Sequence, residues 1–331
     1  MDKIKLGFVP DKPDSRDYQF GAVMGAPPAS MPTWEKGYNV EDDIGEIRDD
    51  AQGKSLSCVS FGSTNDIETA YRAKTGKAVN LSQRWIYSRI HLQNGGSSPR
   101  EAYKLMNKEG VCEDDFMPTN PSKSLTEAQM RSTSMNAGAK ENAAKYKIGS
   151  YYSISPSNWT EYIQAIYQNN GCGFGYLLGG SMGHFVFAIG YKLINGNQAL
   201  IYHDSYPPFV KHMVKKGNKF YKHETGQEVQ LYSAWTAEPN LDWLDNQIKE
   251  TQNMSLVRKM GTKEVFLKLG NERIWVKSEE DFNLLKDNQP ISGISWDNII
   301  DVDVFDSEYN GRIVGKFDLA DWLKNVLGKI N

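Results

Sequence analysis

The chain has three cysteines, Cys58, Cys112 and Cys172. An odd, sparse set with no C-x-x-C spacing argues against a disulfide framework and a structural zinc site. Each cysteine is therefore core filler or chemistry, and Cys58 has the setting for chemistry. It opens a helix expected over 58–75, with Ser57 as the expected N-cap and Gly76 as the stop. Val59, Ile67, Ala70 and Tyr71 share one face of that helix. A thiol in a first helical turn meets unpaired backbone N–H groups and the positive end of the helix dipole, and both favour the thiolate. A neutral imidazole beside it can take the proton and leave an ion pair. The chemistry this offers is nucleophilic attack by sulfur.

Histidines stand at 91, 184, 203, 212 and 223. His184 lies in Gly179-Gly-Ser-Met-Gly-His184-Phe-Val-Phe-Ala-Ile-Gly190-Tyr, 126 positions after Cys58 (184 − 58). Small residues before it leave room for a bound chain, and the apolar strand after it anchors the ring. Asn195-Gly196 is a strong two-residue hairpin signal. It folds 198–204 back beside 184–194 and brings Asp204 toward His184. A carboxylate there accepts the imidazole N–H, fixes the tautomer and stabilises the imidazolium, raising the histidine pKa. His203 adjoins Asp204, but strand alternation turns it to the opposite sheet face.

The segment Ala51-Gln-Gly-Lys-Ser-Leu-Ser-Cys58 resembles the papain-like cysteine peptidases, whose signature is Gln-Gly-x-x-Gly-Ser-Cys at the start of the central helix. Gln52, Gly53, Ser57 and Cys58 fall at that spacing. The resemblance implies that the Gln52 amide and the Cys58 backbone N–H form an oxyanion hole. It implies that His184 is the base, since the family carries it in a similar Gly-His strand. Asp204-Ser205-Tyr206 then stands where the family has Asn-Ser-Trp. Leu81-Ser82-Gln83 resembles the opening of the family's second helix, and Gly110-Val-Cys112-Glu a later stretch in which Cys112 is structural. Asn94-Gly95-Gly96 resembles the loop that pairs with substrate backbone, which makes Gly95, Gly96 and Gly183 the expected substrate contacts. Pro13-Asp-Ser-Arg16-Asp17-Tyr18 resembles the N-terminal arm of proregion-less microbial and viral members. Leu56, Ser55, Val59 and Tyr206 depart from the family pattern, and Leu56 beside the thiol is expected to narrow the cleft.

These residues need elements to hold them. Residues 1–50, punctuated by prolines, read as an extended arm laid over a domain. Helices are expected over 82–92, 98–109 and 157–169, with a polar, weakly helical stretch over 113–145. Strands follow at 173–178, 184–194, 198–203, 209–214 and 228–235. Helices first and antiparallel strands after make an α+β domain over 51–250. The resemblance makes it a papain-like fold whose helical and β halves meet at a cleft. A polar helical connector is expected at 241–254. Beyond it, 264–277 reads as a hairpin around Gly270-Asn271, Ser278-Glu-Glu-Asp281 as a capping box before a short helix with Phe282, Leu284 and Leu285, and 317–329 as an amphipathic helix. This accessory module over 251–331 carries Trp275, Trp296 and Trp322 but no cysteine or histidine.

Net charge is −3 with no basic block, which argues against a nucleic-acid partner. No apolar run approaches the ~20 residues of a membrane helix. The N-terminus reads as no secretory signal, so a cytoplasmic or virion-associated location is expected. No cofactor or metal is expected. The expected activity is a cysteine endopeptidase acting on polypeptides through Cys58, His184, Asp204 and Gln52, with virion or cell-surface proteins as the partners of 255–331. Two alternatives are a catalytically silent papain-like component of a virus particle and a peptidoglycan amide hydrolase.

Overall fold

The computed structural model describes residues 6–178, 183–240, 255–259, 265–269, 272–276 and 300–302. Contacts divide the chain into Met1–Asn240 and Leu241–Asn331, ten residues before the boundary expected near 250.

In the first unit the order is α1 (Phe20–Met24), β1 (Tyr38–Asn39), α2 (Glu41–Ile44), α3 (Cys58–Thr75), α4 (Gln83–Ile90), α5 (Pro99–Lys108), a 3₁₀ turn at Asp114–Phe116, α6 (Glu127–Arg131), α7 (Ala139–Ala143), β2 (Lys147–Ile154), α8 (Trp159–Asn169), β3 (Cys172–Leu177), β4 (Gly183–Ile194), β5 (Asn197–His203), β6 (Val210–Lys216), β7 (Lys219–Lys222) and β8 (Glu228–Asn240). The N-terminal arm is thus less extended than expected. Two short helices and β1 are folded into it, and β1 docks on β4. Helices of four or five residues do not hold alone. Here Phe20 of α1 is buried among Tyr152, Trp159 and Tyr162, so packing holds what propensity does not.

The nucleophile helix runs over the expected residues and stops at Gly76, whose left-handed φ of 72° suits glycine. Ser57 precedes it without a side-chain cap, contrary to expectation. Its hydroxyl meets that of Ser55 at 2.5 Å instead. Asn158 does cap α8, accepting from the Glu161 N–H. Asn195 and Gly196 take φ of 50° and 74°, the turn geometry their types predict.

Strand pairing closes on itself. β4 pairs with β3 and β5, β3 with β8, β8 with β7, β7 with β6, and β6 with β5, all antiparallel. β1 extends the β3 side of β4, and β2 adds to β8. One apolar core fills the β half with Phe174, Tyr176, Val186, Tyr202, Met213 and Leu231. A second joins α3, α4 and α5 to the sheet through Val59, Ile67, Trp85, Tyr103, Phe185 and Trp235. His184 and Cys58 come from the two sides of this seam.

In the second unit, β9 (Ser255–Lys259), β10 (Val265–Leu269) and β11 (Glu272–Val276) are antiparallel neighbours, and β12 (Ile300–Val302) joins β9 in parallel. The expected pairing of 264–269 with 272–277 is present as β10 with β11. The expected connector at 241–254, the capping box at 278–281 with its helix, and the helix at 317–329 lie outside the described residues.

Candidate active site

Cys58 is the first residue of α3, so its N–H is among the four at the helix start that no earlier turn can satisfy. The loop ahead of it is tightly held. Gln52 N–H donates to Ser205 O at 3.2 Å and Lys54 N–H to Leu125 O at 2.7 Å. The Gln52 side chain is fully buried. Its Nε2 donates to Ser55 O at 2.8 Å, and its Oε1 accepts from the Ser205 hydroxyl. One Nε2 hydrogen remains, on the residue that starts the nucleophile loop.

His184 is the second residue of β4, opposite Tyr176 of β3. Asp204 directly follows β5, and the Asn195-Gly196 hairpin sets the register that brings it to His184. Nε2 donates to Asp204 Oδ1 at 2.7 Å with both side chains sealed from solvent. Nδ1 is buried and makes no hydrogen bond. Burial pulls the His184 pKa down, but the Asp204 charge, its hydrogen bond and the thiol outweigh burial and lift the pKa to about 9. For Asp204, burial pushes up, while His184 and Lys211 together draw the pKa down to about 2. The ring of Tyr206 lies 5.6 Å from that of His184, where the family's larger Trp was expected to be replaced.

His203 turns elsewhere. Its Nε2 meets Asp49 Oδ1 at 3.0 Å and its Nδ1 lies 3.4 Å from the Asn65 amide, as strand alternation implied. Cys112 and Cys172 are buried free thiols. Burial pushes Cys112 up to about 12 and Cys172 well above the ordinary thiol range.

Gly95 and Gly96 have φ of 84° and 74°, and Gly96 N–H donates to the Tyr87 hydroxyl at 3.0 Å. That hydroxyl donates to Glu127 Oε1 at 2.6 Å, and Glu127 Oε2 accepts the Leu56 N–H at 2.8 Å. Glu127 thereby ties the nucleophile loop to the glycine loop, a role with no sequence signal. Leu56 packs its side chain beside Phe61, Tyr87, Leu125 and Met130.

The arm crosses this region. Phe8 exchanges two backbone hydrogen bonds with Gly183, at 2.9 and 3.0 Å. Ser97 N–H donates to Gly7 O at 2.8 Å, and Val9 N–H to Ser97 O at 3.0 Å. A β-carbon on Gly7 would stand 1.9 Å from Leu56 O, and one on Gly96 would stand 2.4 Å from Gly7 O. The Phe8 ring is fully buried against Gly175 and Phe185. Asp11 fastens the segment that follows, accepting from Trp235 Nε1 at 2.9 Å and from the Ser98 hydroxyl. Of the three expected substrate contacts, Gly96 and Gly183 therefore border or pair with residues 7–9, while Gly95 faces Leu56, Glu127 and Arg131. Residues 179–182, whose Gly179, Gly180 and Ser181 suggested room for a chain, lie outside the described residues.

Among the described residues no group of His, Cys, Asp and Glu could hold a metal ion, and no helix is long and apolar enough to cross a membrane.

A thiol at the start of α3 thus stands across the seam from a histidine on β4 that has a carboxylate bound to its ring, on an α+β papain-like architecture. The papain family cysteine protease profile matches residues 34–217, and the chain belongs to that family. It is 26% identical over 171 residues to Cysteine proteinase 3 of Solanum lycopersicum, covering 44% of this chain and 45% of that protein. It is 25% identical over 185 residues to the Oryzain gamma chain of Oryza sativa subsp. japonica, covering 49% and 48%. The chain spans about half the length of these curated relatives. Its fold is similar to that of Xylellain, a cysteine protease from Xylella fastidiosa, with a TM-score of 0.52 and 17% identity over 71% of this chain and 96% of that one.

Proposed function

We infer that the chain is a cysteine peptidase that cleaves polypeptides through Cys58, His184, Asp204 and Gln52. The observation that carries this is the division of labour on the His184 ring. Nε2 is bound to Asp204 at 2.7 Å, while Nδ1 is buried and makes no hydrogen bond, and the Cys58 thiol is among the groups that raise the ring's pKa.

In this reading the Cys58 proton passes to His184 Nδ1 and the sulfur attacks the substrate carbonyl carbon. The oxyanion receives hydrogen bonds from the Cys58 N–H and the remaining Gln52 Nε2 hydrogen. One such donor contributes about 3 kcal/mol of transition-state stabilisation. The imidazolium returns its proton to the leaving amine as the C–N bond breaks. Water, deprotonated by the same ring, then cleaves the thioester and restores the thiol. Asp204 keeps the ring in the orientation and tautomer that present Nδ1 to sulfur throughout.

The test is reaction with a thiol-directed epoxide under reducing conditions, followed by hydrolysis of a mixed peptide library. The expected result is one adduct, on Cys58, and turnover that Cys58→Ala abolishes. An unmodified Cys58, or equal turnover by Cys58→Ala, would overturn the reading. Amines released from purified cell walls but not from peptides would move the scissile bond to peptidoglycan.

A further inference from the structure

Asp204 has a second partner that neither the strand pattern nor the family resemblance announced. Lys211, on β6, is buried, and its Nζ lies 2.7 Å from Asp204 Oδ2. The same Nζ donates to Tyr206 O at 2.8 Å, while Tyr206 N–H donates to Asp204 Oδ1 at 3.0 Å. The carboxylate therefore spends one oxygen on His184 and Tyr206 and the other on an ammonium, with no solvent at its own side chain.

An unpaired carboxylate at full burial is costly, and beside a histidine it stabilises the imidazolium strongly. An ion pair in the same place presents a much smaller net charge. It still offers the ring one accepting oxygen, as an asparagine side chain would. We propose that Lys211 is a positioning residue of the catalytic site, whose ammonium offsets part of the Asp204 charge and holds the carboxylate in the orientation that steers the His184 ring. The inference rests on the peptidase reading above.

Other charged or titratable groups face this cluster. Cys58 comes from α3, Tyr176 from β3 and Tyr202 from β5, and Lys222 from β7 acts on both Asp204 and Lys211. Glu224 acts on Tyr202 and Lys222. Lys222 is the nearest rival for the neutralising role, but its Nζ makes its contact over the Tyr176 ring, 5.7 Å from the centroid. Lys211 alone of the two makes a hydrogen bond to Asp204 among those recorded for the described residues.

The experiment is an NMR titration of the His184 ring in full-length protein labelled on histidine, with its signals assigned by their loss in His184→Gln. Lys211→Met should raise the His184 pKa by about one unit or more, because a cation has been removed beside the imidazolium. Asp204→Asn should lower it, because a buried ammonium is left without its anion. The double variant Asp204→Asn with Lys211→Met should return toward the wild-type value. If Lys211→Met fails to fold, the double variant against Asp204→Asn alone gives the same comparison, with an expected rise. An unmoved or lowered His184 pKa on removing Lys211, in either background, would overturn the proposal. Because the readout needs no turnover, an inactive wild type would sink the peptidase reading and leave this result standing or falling by itself. In an active enzyme the alkaline limb of kcat/KM should move in the same directions.

Discussion

Asp204 Oδ1 accepts the Nε2 proton of His184 at 2.7 Å in a place where neither side chain reaches solvent. Each stabilises the other's charged form, so the pair has a pH window. The folded pKa of His184 is about 9 against an ordinary 6.5. Its contribution to stability is fully present below 6.5 and is lost as pH rises through 9. The folded pKa of Asp204 is about 2 against 3.8, so its contribution holds above 3.8 and is lost as pH falls through 2. Melting temperature against pH should fall on both flanks, and His184→Gln should flatten the alkaline one. Activity should fade near pH 9 as the imidazolium loses its proton. A wild-type melting curve that matches His184→Gln from pH 6 to pH 10 would contradict this.

Thiol reactivity should be confined to Cys58. Burial pushes Cys112 up to about 12 and Cys172 well above the ordinary thiol range, which keeps both as unreactive thiols at neutral pH. Iodoacetamide on native protein followed by peptide mapping should find one alkylated site. In denaturant all three should react.

Gln52→Ala should lower kcat by about 100- to 1000-fold, with a smaller change in KM, since the interaction strengthens in the transition state. It should also destabilise the fold by about 1–3 kcal/mol, because the Ser205 hydroxyl loses its buried acceptor. Steady-state kinetics beside a denaturant melt separates the two effects.

The arm should respond to changes at two adjacent positions. Gly7→Ala places a methyl 1.9 Å from a backbone oxygen, and Phe8→Ala removes a fully buried ring. Both should speed alkylation of Cys58. Every 1.4 kcal/mol taken from the arm's attachment should multiply the rate tenfold when opening limits access. The global melting temperature should move less than the ~3 kcal/mol of a buried Phe→Ala implies, because the arm can detach by itself.

How legible this site was depends on the range of each signal. Gly76 ends the nucleophile helix by its own φ, and Asn195-Gly196 sets the hairpin that carries Asp204 to His184. Both are local signals, and both were readable. Lys211 was not, because a lysine on a strand reads as solvated, and its burial depends on β6 closing the ring of strands through β7 and β8. Glu127 was hidden for the same reason, its two contacts lying 40 and 71 positions away in the chain. β2 escaped because exposed Ser150 interrupts the inward face formed by Ile148, Tyr152 and Ile154. Phe8 lies in the short run Leu6-Gly-Phe-Val9 before Pro10, too brief for any periodicity to mark it as core.

The backbone pairing of residues 7–9 with Gly183 and Ser97 has a kinetic corollary. Four hydrogen bonds and one enclosed aromatic ring must be surrendered before an incoming chain can lie along the same edges. A substrate that uses those edges would then bind only to molecules whose arm has lifted. The apparent affinity for it is the intrinsic affinity scaled by the lifted fraction. A ligand, surface or cleavage that draws residues 7–9 away would raise turnover without altering a single group that does the chemistry.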